Sequence, residues 1–339
     1  MGRILLIAVF SFLCACDKML VGGDITNSPE NNFEVFWQEY DRNFANFSAR
    51  NINWEEQYQI YRPKVNSKTT ELELWEVLTD MMSVLNDTHC YLISEKRFFS
   101  SAGEKFYRSA GLFNLNFVKN YLTNKGVSDD GVYHYGKLSE TIGYIHIAHV
   151  GNIDVEIFIN ILKSMGDMDG LVIDARNNSG GNPDNALEIA SIFTTDSKPV
   201  YSRRYKNGTG DEDFSDFNYI SIAPNSSYSF LKPVAFLING NTVSAGDIFA
   251  TIMAELGNVT LIGENTAGSF SASLQKELPN GWIFNIAFEQ DFDVRGNNRE
   301  GQGVPPDIII ETHVNDVLIG EDKVLEAAKN YIESSTVAE

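Results

Sequence analysis

Apolar positions along the chain follow two spacings, and the two spacings predict different elements. Short apolar runs between turn residues predict buried strands, and apolar residues three and four positions apart predict helices. The predicted strands lie at residues 142–147, 171–174 and 233–238. The predicted helices follow them at residues 155–165, 184–193 and 247–256. This alternation of strand and helix predicts a largely parallel α/β core.

The first part of the chain shows only helical spacing. Aromatic residues predict a helix over residues 32–50, and a third helix is predicted over residues 70–85. Between them, Asn53 followed by Glu56 is a capping signature, and Pro63 ends the helix that it opens. We therefore expect a helical N-terminal unit over residues 30–94, followed by the α/β core over residues 95–334.

Composition restricts the possible partners. The chain has 339 residues, of which 43% are hydrophobic, so its core can be large. Its formal net charge of -20 argues against binding nucleic acid or docking on anionic lipid, because both need basic surfaces. Of its three cysteines only Cys90 lies beyond the N-terminal segment, so no internal disulfide is expected there.

The N-terminal segment has the pattern of an export signal. A short basic start precedes an apolar run that is too short to span a bilayer. Residues 13–16 resemble the lipobox of bacterial lipoproteins. The resemblance implies cleavage before Cys16, lipid on its thiol, a polar tether over residues 17–29 and anchoring in the bacterial cell envelope. A plain signal peptide that contains two cysteines is the alternative.

Ser244 lies where a predicted strand turns into a predicted helix. The amides at a helix N-terminus favour negative charge, which is the setting that a serine nucleophile needs beside its oxyanion. Serine is also a common N-cap, so this position alone leaves both interpretations open.

His89 follows the third predicted helix, within a short polar segment at residues 86–89. A histidine beside Asp87 and Thr88 is either structural or a catalytic base. The adjacent Cys90 is poorly placed to share a proton with it, because neighbouring residues on a strand face opposite ways. We therefore expect Cys90 to be a small buried side chain.

Five segments, in order, resemble those of the S41 serine peptidases. They are residues 142–144, 171–181, 242–247, 262–268 and 301–307. The family includes the carboxy-terminal processing proteases and the tricorn-core and interphotoreceptor-retinoid-binding-protein-like branch. The resemblance covers roughly residues 70 to 315 and implies an α/β fold of the ClpP/crotonase type.

The resemblance also separates two possible bases. Processing proteases use a serine–lysine dyad, but Ser269 occupies the position where their lysine is expected. The stretch between His89 and Ile142 is also short for the PDZ domain that most of them carry, so we expect none there. The tricorn-like branch uses serine, histidine and glutamate instead. Its pattern implies Ser244 as nucleophile, His89 as general base and Glu300 as the group that orients the imidazole.

The same resemblance implies two backbone donors for the oxyanion. One is the amide of Ala245, and the other comes from the turn of Gly180 and Gly181. That turn can also be a plain connection between strand and helix, and both interpretations can hold.

No other pattern indicates a cofactor or a metal site. The sequence contains no metalloprotease, zinc-ribbon or EF-hand motif, and its other histidines are isolated or flank a strand. The sequence thus predicts a serine peptidase that cleaves peptide or protein substrates through an acyl-enzyme. The alternative is an inactive module of the same fold that binds peptides or an apolar ligand.

Overall fold

The computed structural model describes residues 26–103, 106 and 112–336 of the chain. The predicted signal segment with Cys16, and most of the predicted tether, lie outside the described residues. The helices are α1 (Pro29–Asn43), α2 (Trp54–Tyr61), α3 (Glu71–Ser83), α4 (Leu115–Tyr121), α5 (Val155–Ser164), α6 (Pro183–Ala190), α7 (Ala245–Ala254), α8 (Val314–Ile319) and α9 (Lys323–Thr336). None of these helices is both long and apolar enough to cross a membrane.

Three sheets are present in the described residues. The strands are β1 (Tyr91–Ile93), β2 (Phe98–Ser100), β3 (Thr123–Val127), β4 (Tyr133–Lys137), β5 (Ile142–Ile147), β6 (Gly170–Asp174), β7 (Lys198–Tyr205), β8 (Asn218–Ile222), β9 (Val234–Ile238), β10 (Val259–Gly263), β11 (Ser273–Glu277), β12 (Ile283–Ala287), β13 (Glu289–Asp293) and β14 (Ile308–Ile309). The sheets have the orders β14-β10-β9-β6-β5-β4-β3, β11-β12-β1-β2 and β13-β7-β8.

The largest sheet is parallel from β14 to β5 and antiparallel at β4 and β3. The predicted, largely parallel α/β core is therefore confirmed. Strands β5, β6 and β9 are buried along their whole length, as strands covered on both faces must be.

Helices cover both faces of this sheet. Alternate residues of a strand point to opposite faces. In β9, Phe236 packs in the cluster that contains residues of α5, α6 and α7, whereas Leu237 packs in the cluster that contains α4 and α9. The result is a three-layer arrangement, with the carboxyl ends of β6 and β9 leading into α6 and α7.

The helical start of the chain is confirmed, with one difference in length. Asn53 caps α2 and Thr70 caps α3 through a capping box. Helix α1 ends at Asn43, seven residues before the predicted end at Arg50. The chain turns there because Ala45 donates its amide to Ala287 O at 3.0 Å. The aromatic spacing that continues past Asn43 therefore belongs to a loop that packs on the strand β12.

The N-terminal helices share a hydrophobic core with the sheet β11-β12-β1-β2. Phe36 packs on Phe284 of β12 with ring centroids 5.1 Å apart, and the Tyr40 hydroxyl donates to Asn285 O at 2.7 Å. Strand β12 lies some 240 residues further along the chain. The helical unit is thus completed by a late hairpin, whose turn at residues 279–281 was predicted from the sequence.

Candidate active site

Ser244 lies between β9 and α7 in a backbone conformation that is rare for a residue with a side chain. Its φ is +63° and its ψ is −126°. Such a strained turn between strand and helix lifts the side chain away from the backbone around it. The hydroxyl is thereby presented at the first turn of α7, which is otherwise buried in the core.

Two groups hold this strained turn in place. The Ser244 amide donates to Ser269 O at 2.9 Å and to the Asp247 carboxylate at 2.9 Å. The same carboxylate accepts from the amides of Gly268 and Ser269. Burial raises the pKa of Asp247 to about 6, although these hydrogen bonds favour its charged form. Asp247 therefore ties the turn at Ser244 to residues 268–269.

His89 lies in the turn between α3 and β1, and its ring reaches Ser244. Its Nε2 is 3.0 Å from Ser244 Oγ, within hydrogen-bond distance. The turn is anchored by Ser101, whose hydroxyl donates to Asp87 O at 2.8 Å. The His89 side chain is 16% exposed, so the pair is accessible from solvent.

Asp87 is the carboxylate next to the imidazole. Its Oδ1 lies 3.5 Å from His89 Nδ1 and accepts from the His89 amide at 2.8 Å. Burial disfavours the charged imidazole, but the adjacent Asp87 carboxylate raises the pKa of His89 above its ordinary value. Burial likewise opposes ionisation of Asp87, but Arg50 and His89 lower its pKa to about 2, so it carries a negative charge.

Glu300 is near this group but is not bonded to the imidazole. Its carboxylate accepts from the Arg50 guanidinium at 2.6 Å and from the Phe270 amide at 3.1 Å. The expectation that Glu300 itself holds His89 is therefore corrected, because the carboxylate at Nδ1 is Asp87. Burial raises the pKa of Glu300 to about 7, against the opposing effect of Arg50.

Sequence reasoning missed Arg50 and the position of Asp87 beside the imidazole. Arg50 was placed at the end of a predicted helix, where an arginine is ordinarily solvated. No local signal marks it, because its partners lie up to 250 residues away in the sequence. Asp87 did carry a signal, since a carboxylate two residues before a candidate base can reach its backbone amide.

The turn at Gly180 and Gly181 packs directly against the start of α7. A Cβ added to Gly180 would lie 2.6 Å from Ser244 Cβ and 3.0 Å from Ala245 N. The Gly180 amide donates to Asn178 Oδ1 at 2.9 Å, so it is engaged within the turn. The amides of Ala245 and Gly181, in contrast, have no hydrogen-bond acceptor among the described residues.

The remaining candidates lie apart from this site or are buried. Cys90 is a free, fully buried thiol, and burial raises its pKa well above its ordinary value, so the predicted hydrophobic role is confirmed. His146 is buried and bonds to Arg176 O. Within residues 26–103, 106 and 112–336, no group of three or more potential ligands could hold a metal ion.

Two family models match the chain. The model of peptidase family S41 matches residues 141–310, which is half of the chain and includes Ser244, Glu300 and the glycine turn. The model of the tricorn protease C1 domain matches residues 26–83 and ends just before the segment that carries His89.

Known proteins of two kinds are similar to the chain. The carboxy-terminal processing protease CtpA of Bacillus subtilis is 27% identical over 142 residues, covering 42% of this chain and 28% of that protein. The tricorn protease of Thermoplasma acidophilum is 28% identical over 190 residues, covering 56% of this chain and 16% of that protein. The chain spans less than a third of the length of either curated relative.

Several solved structures match over nearly the full length of both chains. One of them is the crystal structure of a Parabacteroides merdae protein provisionally assigned as a peptidase. It has a TM-score of 0.84 and 28% identity, and the match covers 91% of this chain and 97% of that one. The fold around the Ser244–His89 pair is therefore shared with a protein of similar length.

Proposed function

Because the chain belongs to peptidase family S41, we propose that it is a serine peptidase with Ser244 as nucleophile and His89 as general base. The family membership confirms the resemblance recognised in the sequence and the α/β fold expected from it. The observation that carries the proposal is the distance of 3.0 Å between His89 Nε2 and Ser244 Oγ.

The proposed reaction has two halves. Ser244 Oγ attacks the carbonyl carbon of the scissile peptide bond while its proton passes to His89 Nε2. The tetrahedral intermediate collapses, and the departing amine takes that proton, which leaves an ester on Ser244. A water molecule then attacks the ester and gives a proton to His89. Collapse releases the new carboxylate and returns the proton to Ser244.

The charged groups behind the imidazole favour this proton transfer. Asp87 carries a negative charge 3.5 Å from His89 Nδ1, so it stabilises the imidazolium that forms when Nε2 takes the proton. In this proposal Asp87 takes the orienting part that the family pattern assigned to Glu300. Glu300 acts on the imidazole indirectly, because its carboxylate binds Arg50.

We assign the oxyanion donors to the amides of Ala245 and Gly181. Both amides lack an acceptor among the described residues, and the glycine turn brings its backbone directly against Ser244, where a side chain would not fit. Gly180 matters because it has no side chain. Its amide is not an oxyanion donor, since it is already bonded to Asn178. The substrate class that this site fits is a peptide or protein backbone.

Replacement of either member of the pair tests the assignment. Ser244→Ala and His89→Ala should each lower kcat on a peptide library by about 10⁴-fold or more, with unchanged far-UV circular dichroism. Ser164→Ala and His313→Ala serve as matched controls, because both residues lie outside the site. A fluorophosphonate probe should label the unmodified protein and not Ser244→Ala. Peptide binding without cleavage or labelling would show an inactive binding module instead.

We also propose that the protein is lipid-anchored in the bacterial cell envelope through Cys16. The support is the lipobox-like sequence at residues 13–16 after a short apolar run. Metabolic labelling with an alkyne fatty acid should mark the unmodified chain and Cys14→Ser, but not Cys16→Ser. Equal labelling of both variants, or none in the unmodified chain, would refute the anchor.

A further inference from the structure

One guanidinium contacts three of the segments that surround the proposed catalytic pair. Arg50 donates to Asn86 O, in the turn before His89, and to Gly268 O at 2.9 Å. It also donates to Glu300 at 2.6 Å and lies 3.5 Å from Asp87 Oδ2. These partners come from three distant parts of the sequence, so Arg50 links them at one point.

The group of charges around Arg50 is buried. The side chains of Arg50, Asp87 and Glu300 are 5%, 0% and 1% exposed, respectively. Two carboxylates without a cation in such a place would repel each other and resist ionisation. Burial opposes the charge of Arg50, but Asp87 and Glu300 raise its pKa above the ordinary value, so the guanidinium remains charged. The negative charge of Asp87 beside His89 therefore depends on Arg50.

Arg50 reaches the site from the N-terminal helical unit. It follows α1 in a turn closed by its own amide, which donates to Asn46 O at 3.0 Å. The Asn46 side chain in turn donates to Glu289 O at the start of β13. Phe47, three residues before Arg50, stacks on Trp54 at the start of α2, with centroids 5.5 Å apart. The turn is thus fixed on both sides, and the direction of the Arg50 side chain is fixed with it.

We propose that Arg50 is a positioning residue through which the N-terminal helical unit sets the geometry and charge of the Asp87–His89–Ser244 group. This inference rests on the proposed peptidase function. Arg50 does not contact Ser244 or His89 through any hydrogen bond among the described residues, so it acts through Asp87, residues 268–269 and Glu300. The helical unit is therefore part of the catalytic apparatus rather than a cover for it.

The planar fork of arginine is what this place requires. A guanidinium offers five donors in a fixed geometry, whereas an ammonium is a point charge on a flexible chain. Lysine at position 50 could therefore neutralise one carboxylate but could not reach Asn86, Gly268 and Glu300 together. Loss of the fork should displace Asp87 and residues 268–269, and displacement by about 1 Å can lower turnover about 100-fold.

Chemical rescue gives the sharpest test. Arg50 forms part of the wall of a surface recess of about 590 Å³, which gives a small cation a route to the space that Arg50→Ala leaves. Arg50→Ala should lose about 100-fold in kcat with little change in KM, because Arg50 is not assigned a substrate contact. Guanidinium chloride at millimolar concentration should raise the kcat of Arg50→Ala by about tenfold. Urea, its neutral analogue, and sodium chloride at equal ionic strength should not.

The matched control is Arg62, an arginine of the same helical unit that pairs with Glu34 on the surface at 2.6 Å. Arg62→Ala should keep the kcat of the unmodified protein and should not respond to guanidinium. If Arg50→Ala cannot be recovered folded, Arg50→Lys is assayed instead, with kcat expected to fall at least about tenfold at unchanged KM.

The outcomes separate this inference from the peptidase assignment. If the unmodified protein neither hydrolyses peptides nor takes the fluorophosphonate probe, the proposed function itself fails. If the unmodified protein is active and Arg50→Ala matches it, the positioning role is overturned. Equal rescue by urea and guanidinium would also overturn it, because a purely mechanical defect does not distinguish the two.

Discussion

The imidazole of His89 lies between Ser244, at the start of α7, and Asp87, two residues before His89 in the sequence. Its environment contains the Asp87, Glu300 and Asp247 carboxylates and the Arg50 guanidinium. Burial alone would lower the pKa of His89, and the adjacent Asp87 carboxylate reverses that effect. At the scale of the single residue, burial and the Asp87 carboxylate act on the pKa of His89 in opposite directions, and the carboxylate determines the direction of the net shift.

The pH profile of Asp87→Asn tests this account. The base works when it is neutral, so kcat/KM of the unmodified protein should rise through a pKa above about 6.5. Asp87→Asn removes the negative charge and leaves burial, so the pKa of His89 should fall and the acid limb should move to lower pH. The plateau should fall about 100-fold or more, because the imidazolium loses its partner.

Asp80→Asn is the control for that profile, since Asp80 is an exposed carboxylate on α3, the helix before the same turn. Its profile should overlay that of the unmodified protein. An acid limb that stays in place in Asp87→Asn, measured on purified folded protein, would show that Asp87 does not set the pKa of His89.

Ser244 and His89 were recognisable from the sequence because each lies at an element boundary within a family motif. Their separation of 3.0 Å was not, since it depends on the meeting of residues 155 positions apart. Glu300 was expected from the family pattern to orient His89, but in the structure its carboxylate accepts from Arg50. Sequence spacing does not reveal that Arg50, 250 positions away, binds this carboxylate.

At the scale of elements, the site depends on how closely the glycine turn approaches α7. The turn is fixed by Val243, whose amide donates to Asn178 O at 3.0 Å. Gly180 has φ of +82° and leaves no room for a side chain beside Ser244. The strand β6, the turn and helix α7 therefore form one unit around the proposed oxyanion site.

Comparing Gly180→Ala with a control glycine should separate the effect of a steric clash at the site from the effect of backbone strain. The new methyl group would meet Ser244 Cβ and Ala245 N, so kcat should fall about 100-fold or more through displacement of the oxyanion donors. Gly131→Ala is the matched control, because Gly131 has φ of +74° with no atom within 4 Å of the added carbon.

Both variants carry the strain of a side chain at positive φ, about 1 kcal/mol of unfolding free energy. Gly131→Ala should therefore lose stability but keep its kcat. Similar kcat values for the two variants, each normalised to folded protein, would contradict the assigned position of the oxyanion site.

The lengths of most elements followed from spacing and caps. Strands β5, β6 and β9 and helices α5, α6 and α7 lie within a few residues of their predicted bounds. Helix α1 was predicted too long, because aromatic residues after Asn43 continue the helical spacing while facing a different partner. The backbone bond from Ala45 to Ala287 that ends the helix involves a strand 240 residues away, which no local pattern reveals.

At the scale of the whole molecule, one hydrophobic cluster joins the N-terminal helices to a hairpin from late in the chain. That cluster combines residues of α1 and α3 with residues of β1 and β12. Fully buried Phe284 contacts both Phe36 and Tyr40 of α1. The sequence predicted a helical unit followed by a core, but it did not predict that a late hairpin completes the early unit.

Because the hairpin lies in the chain between β10 and β14 of the large sheet, we expect the helical unit and the core to unfold together. The chain has four tryptophans, and all of them lie in or pack against this one cluster: Trp37, Trp54, Trp75 and Trp282. Their fluorescence therefore reports on the helical unit and its hairpin, whereas far-UV circular dichroism reports on the whole fold. If the two parts form one cooperative unit, thermal transitions followed by the two methods should coincide within about 2 °C.

Phe284→Ala provides the matched perturbation, because it removes a large side chain from the middle of the shared cluster. It should lower the unfolding free energy by about 3–5 kcal/mol and move both transitions to lower temperature together. A fluorescence transition that precedes the dichroism transition, in the unmodified protein or in the variant, would mean that the helical unit opens on its own. Arg50 would then leave the site before the core unfolds, and activity should be lost along the fluorescence curve rather than the dichroism curve.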